Sequence, residues 1–418
     1  MDPVQNNATM RKINALLANA RHGTLTLQGP DGQTRVYGAG QAPHAMLHVH
    51  DMAVFDRAMK SGDIGFAEAY IDRLWSTPDL NLLLQWALVN RRALEDVIYG
   101  HWWGRLFYQW RHWSRRNTRQ NSARNIHEHY DLGNDFYRLW LDPSMNYSSA
   151  WFQGDPDMPM QQAQQAKMTR ALVQAGVQVG QQQRVLEIGC GWGAIAELGA
   201  STFGAHMTGV TLSQEQLNWA QQRLAATHLQ ADLRLQDYRD IRDEPFDAIV
   251  SIEMLEAVGL SYWPTYFQTL NRLLKPGARA CIQTIVIDDR LFDRYIRGTD
   301  FIQQYIFPGG CLPSPARFKQ AAQEAGLVVE DSFSFGHDYA KTLRLWRHDF
   351  LARRDQVLAQ GFDERFIRTW EFYLAYCEAA FEQNNTDVVQ YTLRRSEEHT
   401  SELQSHLNLV CRLLLEKK

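Results

Sequence analysis

Several things are scarce in this chain. Five cysteines are scattered through 418 residues, none in a Cys-x-x-Cys pair, which excludes a disulfide framework and a zinc-finger spacing and fits a reducing cytoplasm. No run of about 18 apolar residues occurs, so no spanning helix is expected. The start, Met1 to Leu17, lacks the apolar stretch of about 7–15 residues that marks a signal peptide, and none is expected. An excess of one charge is missing as well: 43 basic and 47 acidic side chains give a formal net charge of −4, which argues against a nucleic-acid partner held by overall charge. The histidines His127 and His129 have no Cys or carboxylate at a recognised metal spacing, so no metal is expected and His129 reads as structural.

What is present belongs to a globular protein. An apolar fraction of 45 % supplies a full core for two or three domains. Between His22 and Gly40, GTLTLQG and QTRVYG alternate around Pro30-Asp31-Gly32, the pattern of a β-hairpin. Helical periodicity follows from Met52 to Val97, interrupted at Gly62, Gly65 and Pro78. Residues 101–120, HWWGRLFYQWRHWSRRNTRQ, interleave five arginines with Trp102, Trp103, Phe107, Tyr108, Trp110 and Trp113 and hold no acid. That composition suits the headgroup boundary of an anionic leaflet, where each basic residue adds about 1 kcal/mol; the competing reading is a partly buried connector with snorkelling arginines. From Arg395 the text reads RSEEHTSELQS and then NLVCRLLLEKK. It resembles the conceptual translation of a sequencing-library adapter joined to a truncated reading frame, and residues 395–418 are set aside as a non-native tail, against an amphipathic helix from Leu403 to Leu415. The expected organisation is an N-terminal lipid-associating α+β domain over 1–120 and a catalytic domain over 121–394.

Within the larger region strand and helix alternate. RVLEIGC, MTGVTL, ADLRLQD, FDAIVSI and ARACIQTIVI read as buried strands, GAIAELGAST and SQEQLNWAQQRLAAT as helices, the second capped at Ser213. This order predicts a doubly wound, Rossmann-like α/β fold whose ligand crevice lies beyond the carboxyl ends of the strands. The stretch from Asp288 to Pro313 breaks the alternation and suits a lid or a wall for an acyl chain. A helix carrying Trp370, Phe372, Tyr373, Tyr376 and Phe381 reads as core.

Gly189, Gly191 and Gly193 follow a strand and open a helix, so the backbone can turn tightly and approach a ligand without interference from Cβ. With Ala194 the loop also satisfies a dinucleotide pattern, which keeps a nicotinamide enzyme open beside an S-adenosylmethionine enzyme. A dinucleotide site wants an acid about 20 residues on, whereas Gly209 to Ser213 reads GVTLS without one. Glu187, just before the loop, is typical of methyltransferases. Cys190 reads as a small loop residue.

Together, HYDLGNDFYRLWLDPSMNYSSAWF, VLEIGCGWG, GVTLSQEQ, QDYRDI, SIEMLEAVG, YIFPGGCLPS and DYAKTLRLW, in this order over roughly 125–390, resemble the cyclopropane-fatty-acyl-phospholipid synthase family, with its mycolic-acid cyclopropane synthase relatives. DIGFAEAYIDRLW resembles the extra domain of the phospholipid-acting enzymes. The resemblance implies S-adenosylmethionine as donor, unsaturated phospholipid acyl chains as acceptor, bicarbonate as an enzyme-bound base, and a cytoplasmic enzyme peripheral to the membrane; a homodimer is also expected. For the cofactor it points to Tyr130, Tyr147, Gly189, Gly191, Thr211, Leu212, Gln216, Asp237 and Tyr238, with Glu187 at its amino-acid end. For a bicarbonate pocket it points to Glu256, Ile285 and Tyr339, and at two positions the chain departs from the usual pattern: Ser149 replaces a Cys and Gln283 a His. Both can still donate a hydrogen bond to an oxyanion.

The reaction so implied is methyl transfer to an isolated alkene, a carbocation on the chain, and proton loss closing a cyclopropane. Rival readings are loss of a different proton, leaving a methyl- or methylene-branched chain; methylation of a small amine; and a catalytically silent lipid binder.

Overall fold

The computed structural model describes residues 11, 13–38, 40, 42–94 and 132–397. The basic aromatic segment 101–120, His127, His129, Tyr130 and the tail from residue 398 lie outside the described residues. The chain divides into two compact units, each assembled from separated stretches: 1–141, 287–311 and 336–387 in the first, and 142–286, 312–335 and 388–418 in the second.

In the first unit the expected hairpin is formed by β1 (Thr24–Gln28) and β2 (Thr34–Gly38), antiparallel. Leu25 and Leu27 are buried on one face of β1. Alternation puts its threonines on the other, the period-2 logic of a half-buried strand. β3 (His44–Val49) runs parallel to β1, and the short β4 (Trp75–Ser76) completes the order β2-β1-β3-β4. Helix α1 (Ala53–Ile71) is kinked where the glycines interrupt the periodicity: Gly62 takes φ 64°, and a Cβ at Gly65 would lie 2.1 Å from the Arg57 carbonyl oxygen. Helix α2 (Leu80–Val89) begins at Asp79, whose carboxylate accepts from the Leu82 N–H at 3.0 Å, an N-cap. The aromatic helix Glu364–Glu382 buries Trp370, Phe372, Tyr373 and Phe381. Phe136 packs among Phe350, Phe362, Phe366 and Trp370, with centroids 6.1, 5.3, 5.4 and 5.2 Å away, distances at which aromatic edges and faces attract.

The second unit is the doubly wound α/β domain. Its strands are β5 (Arg184–Ile188), β6 (His206–Thr211), β7 (Asp232–Leu235), β8 (Phe246–Ile252), β9 (Leu274–Ile287), β10 (Leu327–Ser334) and β11 (Thr386–Arg395). They form one sheet in the order β10-β11-β9-β8-β5-β6-β7. β5 to β9 pair in parallel where they adjoin, and β10 runs antiparallel to β11 at the edge. The chain winds outward from β5 to β7 and then returns to β8 on the other side of β5, so the topological switch lies between β5 and β8. Helices α3 (Met160–Gln174), α4 (Ala194–Leu198) and α5 (Gln214–Ala226) follow in sequence. Leu172, Ile195 and Ala196 of α3 and α4 share a buried cluster with Val185, Met207, Ala248 and Val250 of the sheet. Ser213 caps α5 as expected, its Oγ accepting from the Gln216 N–H at 3.3 Å. The edge pair of β10 and β11 goes beyond the strands read from sequence, and β11 includes Arg395, the first residue of the stretch set aside as foreign. No helix among the described residues is long and apolar enough to cross a membrane.

Candidate functional site

Immediately after β5 the backbone turns through Gly189, Gly191 and Gly193, with φ of +84°, +48° and +83°, a region glycine enters without steric cost. The N–H groups of Gly189 and Cys190 both donate to the Val210 carbonyl at 3.0 Å, which ties the loop to β6. A Cβ on Gly193 would come within 2.8 Å of the Ala220 Cβ on α5, whereas one on Gly191 would meet nothing within 4 Å. Gly193 is therefore dictated by helix packing, and Gly191 leaves its backbone open to a ligand. Glu187 lies buried beside this turn, its Oε2 without a hydrogen-bond partner. Burial pushes its carboxyl up to about 8, against the pull of Lys167 and the Ala196 N–H. Burial likewise drives the Cys190 thiol well above its ordinary range, which leaves it inert as a nucleophile.

The next two strands end in the remaining cofactor candidates. At the end of β6, Thr211 donates from Oγ1 to Gln216 Oε1 at 3.0 Å and accepts from the Ser213 N–H at 3.2 Å, with Leu212 half-buried between them. After β7, the Asp237 carboxylate accepts from the Arg239 N–H and Nε, both at 2.9 Å, and Tyr238 packs edge-on against Tyr266 at 5.6 Å. Glu187, Gly189, Gly191, Thr211, Leu212, Gln216, Asp237 and Tyr238 thus follow one another along the carboxyl edge of three adjacent strands. Tyr147 is half-buried in the segment before α3.

A second cluster follows β8 and β9. Glu253 is the first residue past β8 and takes φ +49°, with its N–H donating to the Gln283 carbonyl at 2.8 Å. Its Oε1 accepts from the Ser149 N–H at 2.9 Å and from Gln283 Nε2 at 2.7 Å. Ser149 Oγ instead donates to the Ala150 carbonyl at 3.0 Å. Gln283, fully buried, accepts on Oε1 from Gln390 Nε2 at 3.0 Å, and Gln390 Oε1 accepts from Arg170 Nη1 at 2.6 Å. Glu256 accepts on Oε1 from the Ile285 N–H and, at 3.0 Å, from Thr284 Oγ1, while its Oε2 is sequestered without a partner. Burial first, and the charge of Glu253 second, push the Glu256 carboxyl up to about 8. Lys167, fully buried, donates from Nζ to Ser148 Oγ at 2.6 Å; burial lowers its ammonium to about 8 against the attraction of Glu253, Asp142 and Glu187.

The second unit therefore gathers Ser149, Gln283 and Glu253 in one hydrogen-bonded set and Glu256 with Ile285 in another. Tyr339 belongs to the first unit, buried on helix Gly336–Ala352 with its ring 4.5 Å from that of Phe381. Sequence reasoning missed Glu253, Gln390 and Lys167. An acid directly after a buried strand at the carboxyl edge is a signal that could have found Glu253; nothing comparable marks the other two. Among the described residues no group of His, Cys, Asp and Glu is placed to hold a metal ion.

The family model described as mycolic acid cyclopropane synthetase matches residues 117–391. The chain is 39 % identical over 391 residues to tuberculostearic acid methyltransferase UfaA1 of Mycobacterium tuberculosis, covering 91 % of this chain and 90 % of that protein. It is 36 % identical over 360 residues to the cyclopropane-fatty-acyl-phospholipid synthase of Escherichia coli K12, covering 86 % and 90 %. Among solved structures, mycolic acid cyclopropane synthase CmaA1, complexed with SAH and CTAB, superposes with a TM-score of 0.61 at 34 % identity, covering 65 % of this chain and 98 % of that one.

Proposed function

Since the chain belongs to the mycolic acid cyclopropane synthetase family and is an S-adenosylmethionine-dependent methyltransferase of cyclopropane-synthase type, we propose that it methylates the double bond of an unsaturated phospholipid acyl chain and closes the product to a cyclopropane. The observation that carries this reading is the succession along one sheet edge: a glycine turn beside a buried carboxyl with one unpartnered oxygen, then the acids Glu253 and Glu256 after the next strand across the switch point.

The residues after β5 to β7 fit the cofactor. Glu187 offers an acceptor to an ammonium group, Gly191 an unobstructed backbone, and Thr211 and Gln216 a hydrogen-bonding corner for a sugar. Bound there, S-adenosylmethionine supplies an electrophilic methyl on a sulfonium. An isolated alkene is a weak nucleophile, so the protein's contribution is alignment of the double bond with that methyl and exclusion of water from the cation that follows. Aromatic faces stabilise such a cation.

Bicarbonate does not fit the donors as they stand. The Ser149 N–H and Gln283 Nε2 both serve Glu253, and the Ile285 N–H serves Glu256. A further anion would face Glu253 and Glu256 with those donors already engaged, and no step is derived through it.

A second reading has support of its own. The 39 % identical relative is named a methyltransferase, and Ser149 and Gln283 depart from the usual pocket. The cation would then lose a proton from the chain and leave a branched product. Contact with an anionic leaflet from the cytoplasmic side, through residues 101–120, completes the proposal. The test is incubation of the full chain with methyl-labelled donor and unsaturated phospholipid, followed by NMR of the acyl chains. Ring protons support the cyclopropane reading and vinyl protons the branched one; absence of label from the lipid overturns both.

A further inference from the structure

We propose that Glu253 is the base of this reaction, a carboxylate of the chain itself occupying the anion seat that the family resemblance implies for bicarbonate. The inference rests on the reading of an alkene acceptor given above. Two donors from separate parts of the chain, the Ser149 N–H at 2.9 Å and Gln283 Nε2 at 2.7 Å, converge on a single oxygen of Glu253. Ser149 and Gln283 are also the two positions where the sequence departs from the usual pocket, so both departures and the extra acid meet at one atom.

The seat is built rather than incidental. Gln283 accepts from Gln390 at 3.0 Å through Oε1, which fixes its amide with Nε2 toward Glu253, and Arg170 fixes Gln390 in turn at 2.6 Å. Glu253 itself is held at φ +49°, its N–H clamped to the Gln283 carbonyl at 2.8 Å. A non-glycine residue in that region costs of order 1–3 kcal/mol and persists where its surroundings over-determine it, commonly at functional sites. The clamp aims the side chain from the carboxyl end of β8, next to the switch point where ligands of this fold bind. The neighbouring Glu256 carboxyl is pushed up to about 8 by burial first and by the charge of Glu253 second.

In the step assigned to Glu253, a C–H bond of the transferred methyl breaks and its electron pair forms the new C–C bond to the cationic carbon, closing the ring; for a branched product the C–H bond that breaks is on a carbon adjacent to the cationic carbon and its pair forms the C=C bond. In either case the proton passes to the Glu253 carboxylate. Glu253 becomes a neutral acid and is reset by proton loss to water.

The full chain is assayed with methyl-labelled donor and unsaturated phospholipid vesicles in decarbonated buffer and again with added bicarbonate, beside Glu253→Gln and Glu253→Gly, with donor affinity measured by titration calorimetry. Wild-type turnover is expected to be the same in both buffers. Glu253→Gln is expected to bind donor normally and lose about 100-fold or more in turnover, the range for removal of a positioned base. Glu253→Gly, which vacates the seat, is expected to recover turnover when bicarbonate is added. Wild-type turnover that collapses without bicarbonate overturns the assignment while leaving the alkene reading intact, as does a Glu253→Gln enzyme of wild-type rate. Absence of label from lipid with the wild type overturns both. Should either variant fail to fold, the wild-type comparison decides alone.

Discussion

Gln390 donates to Gln283 at 3.0 Å, so the last described strand of the sheet holds the side chain that in turn holds Glu253. The site thus depends on a residue in the middle of β11, far in sequence from the glycine turn.

Gln390→Leu is expected to leave buried Gln283 Oε1 and the Lys167 carbonyl without their donor and to cost about 1–3 kcal/mol of stability. Urea unfolding checks the cost. Turnover should fall with donor affinity retained, because Gln283 loses its orientation while the glycine turn is untouched. An unchanged urea midpoint together with full turnover contradicts the role given to this link.

Two glycines of the same loop are predicted to fail differently when replaced by alanine. At Gly193 the new methyl meets the Ala220 Cβ at 2.8 Å with φ +83°, so the fold should lose about 1–3 kcal/mol. At Gly191 the methyl enters open space beside the backbone, so the chief loss should be donor affinity. Thermal melts and donor titrations on both variants separate the effects, and equal loss of donor affinity without loss of stability at Gly193 contradicts this division.

Stability should decline as pH rises from about 4.5 to about 8. Glu187 and Glu256 each keep a proton to about 8 in the fold, against an ordinary value of 4.5. Over that interval the unfolded chain releases protons that the native state retains, so their contribution is full below about 4.5 and lost as pH passes through 8. Lys167, lowered from 10.5 to about 8, acts in the opposite sense at higher pH. Glu256→Gln removes one of these titrations and should flatten the decline in melting temperature, bind donor as wild type does, and depress turnover. A decline as steep as wild type's would show that Glu256 does not hold its proton.

Much of this fold was legible because buried parallel strands are written as short apolar runs between helical periods, as β5, β6 and β8 are; β7, read as buried, is instead an edge strand with Asp232 and Leu235 exposed. The glycine turn was legible because its backbone demands glycine. The base cluster was legible only in part. Ser149, Gln283 and Glu256 stood out against a family pattern, but the bend at Glu253 is imposed by its tertiary contact with the Gln283 carbonyl and leaves no local trace. Lys167 sits in the glutamine-rich text of α3, which reads as a solvated face, and its burial follows from how that helix meets the Ser148 segment. Gln390 adjoins a tail of foreign appearance, so its strand drew no attention.

The most direct measurement compares two vesicle preparations that differ only in whether their phospholipid acyl chains carry a double bond, each given the full chain and methyl-labelled S-adenosylmethionine. Label in the unsaturated chains alone, released as a fatty acid one carbon heavier, is the predicted result. Equal labelling of both preparations, or label confined to the headgroup, would contradict an alkene as the methyl acceptor.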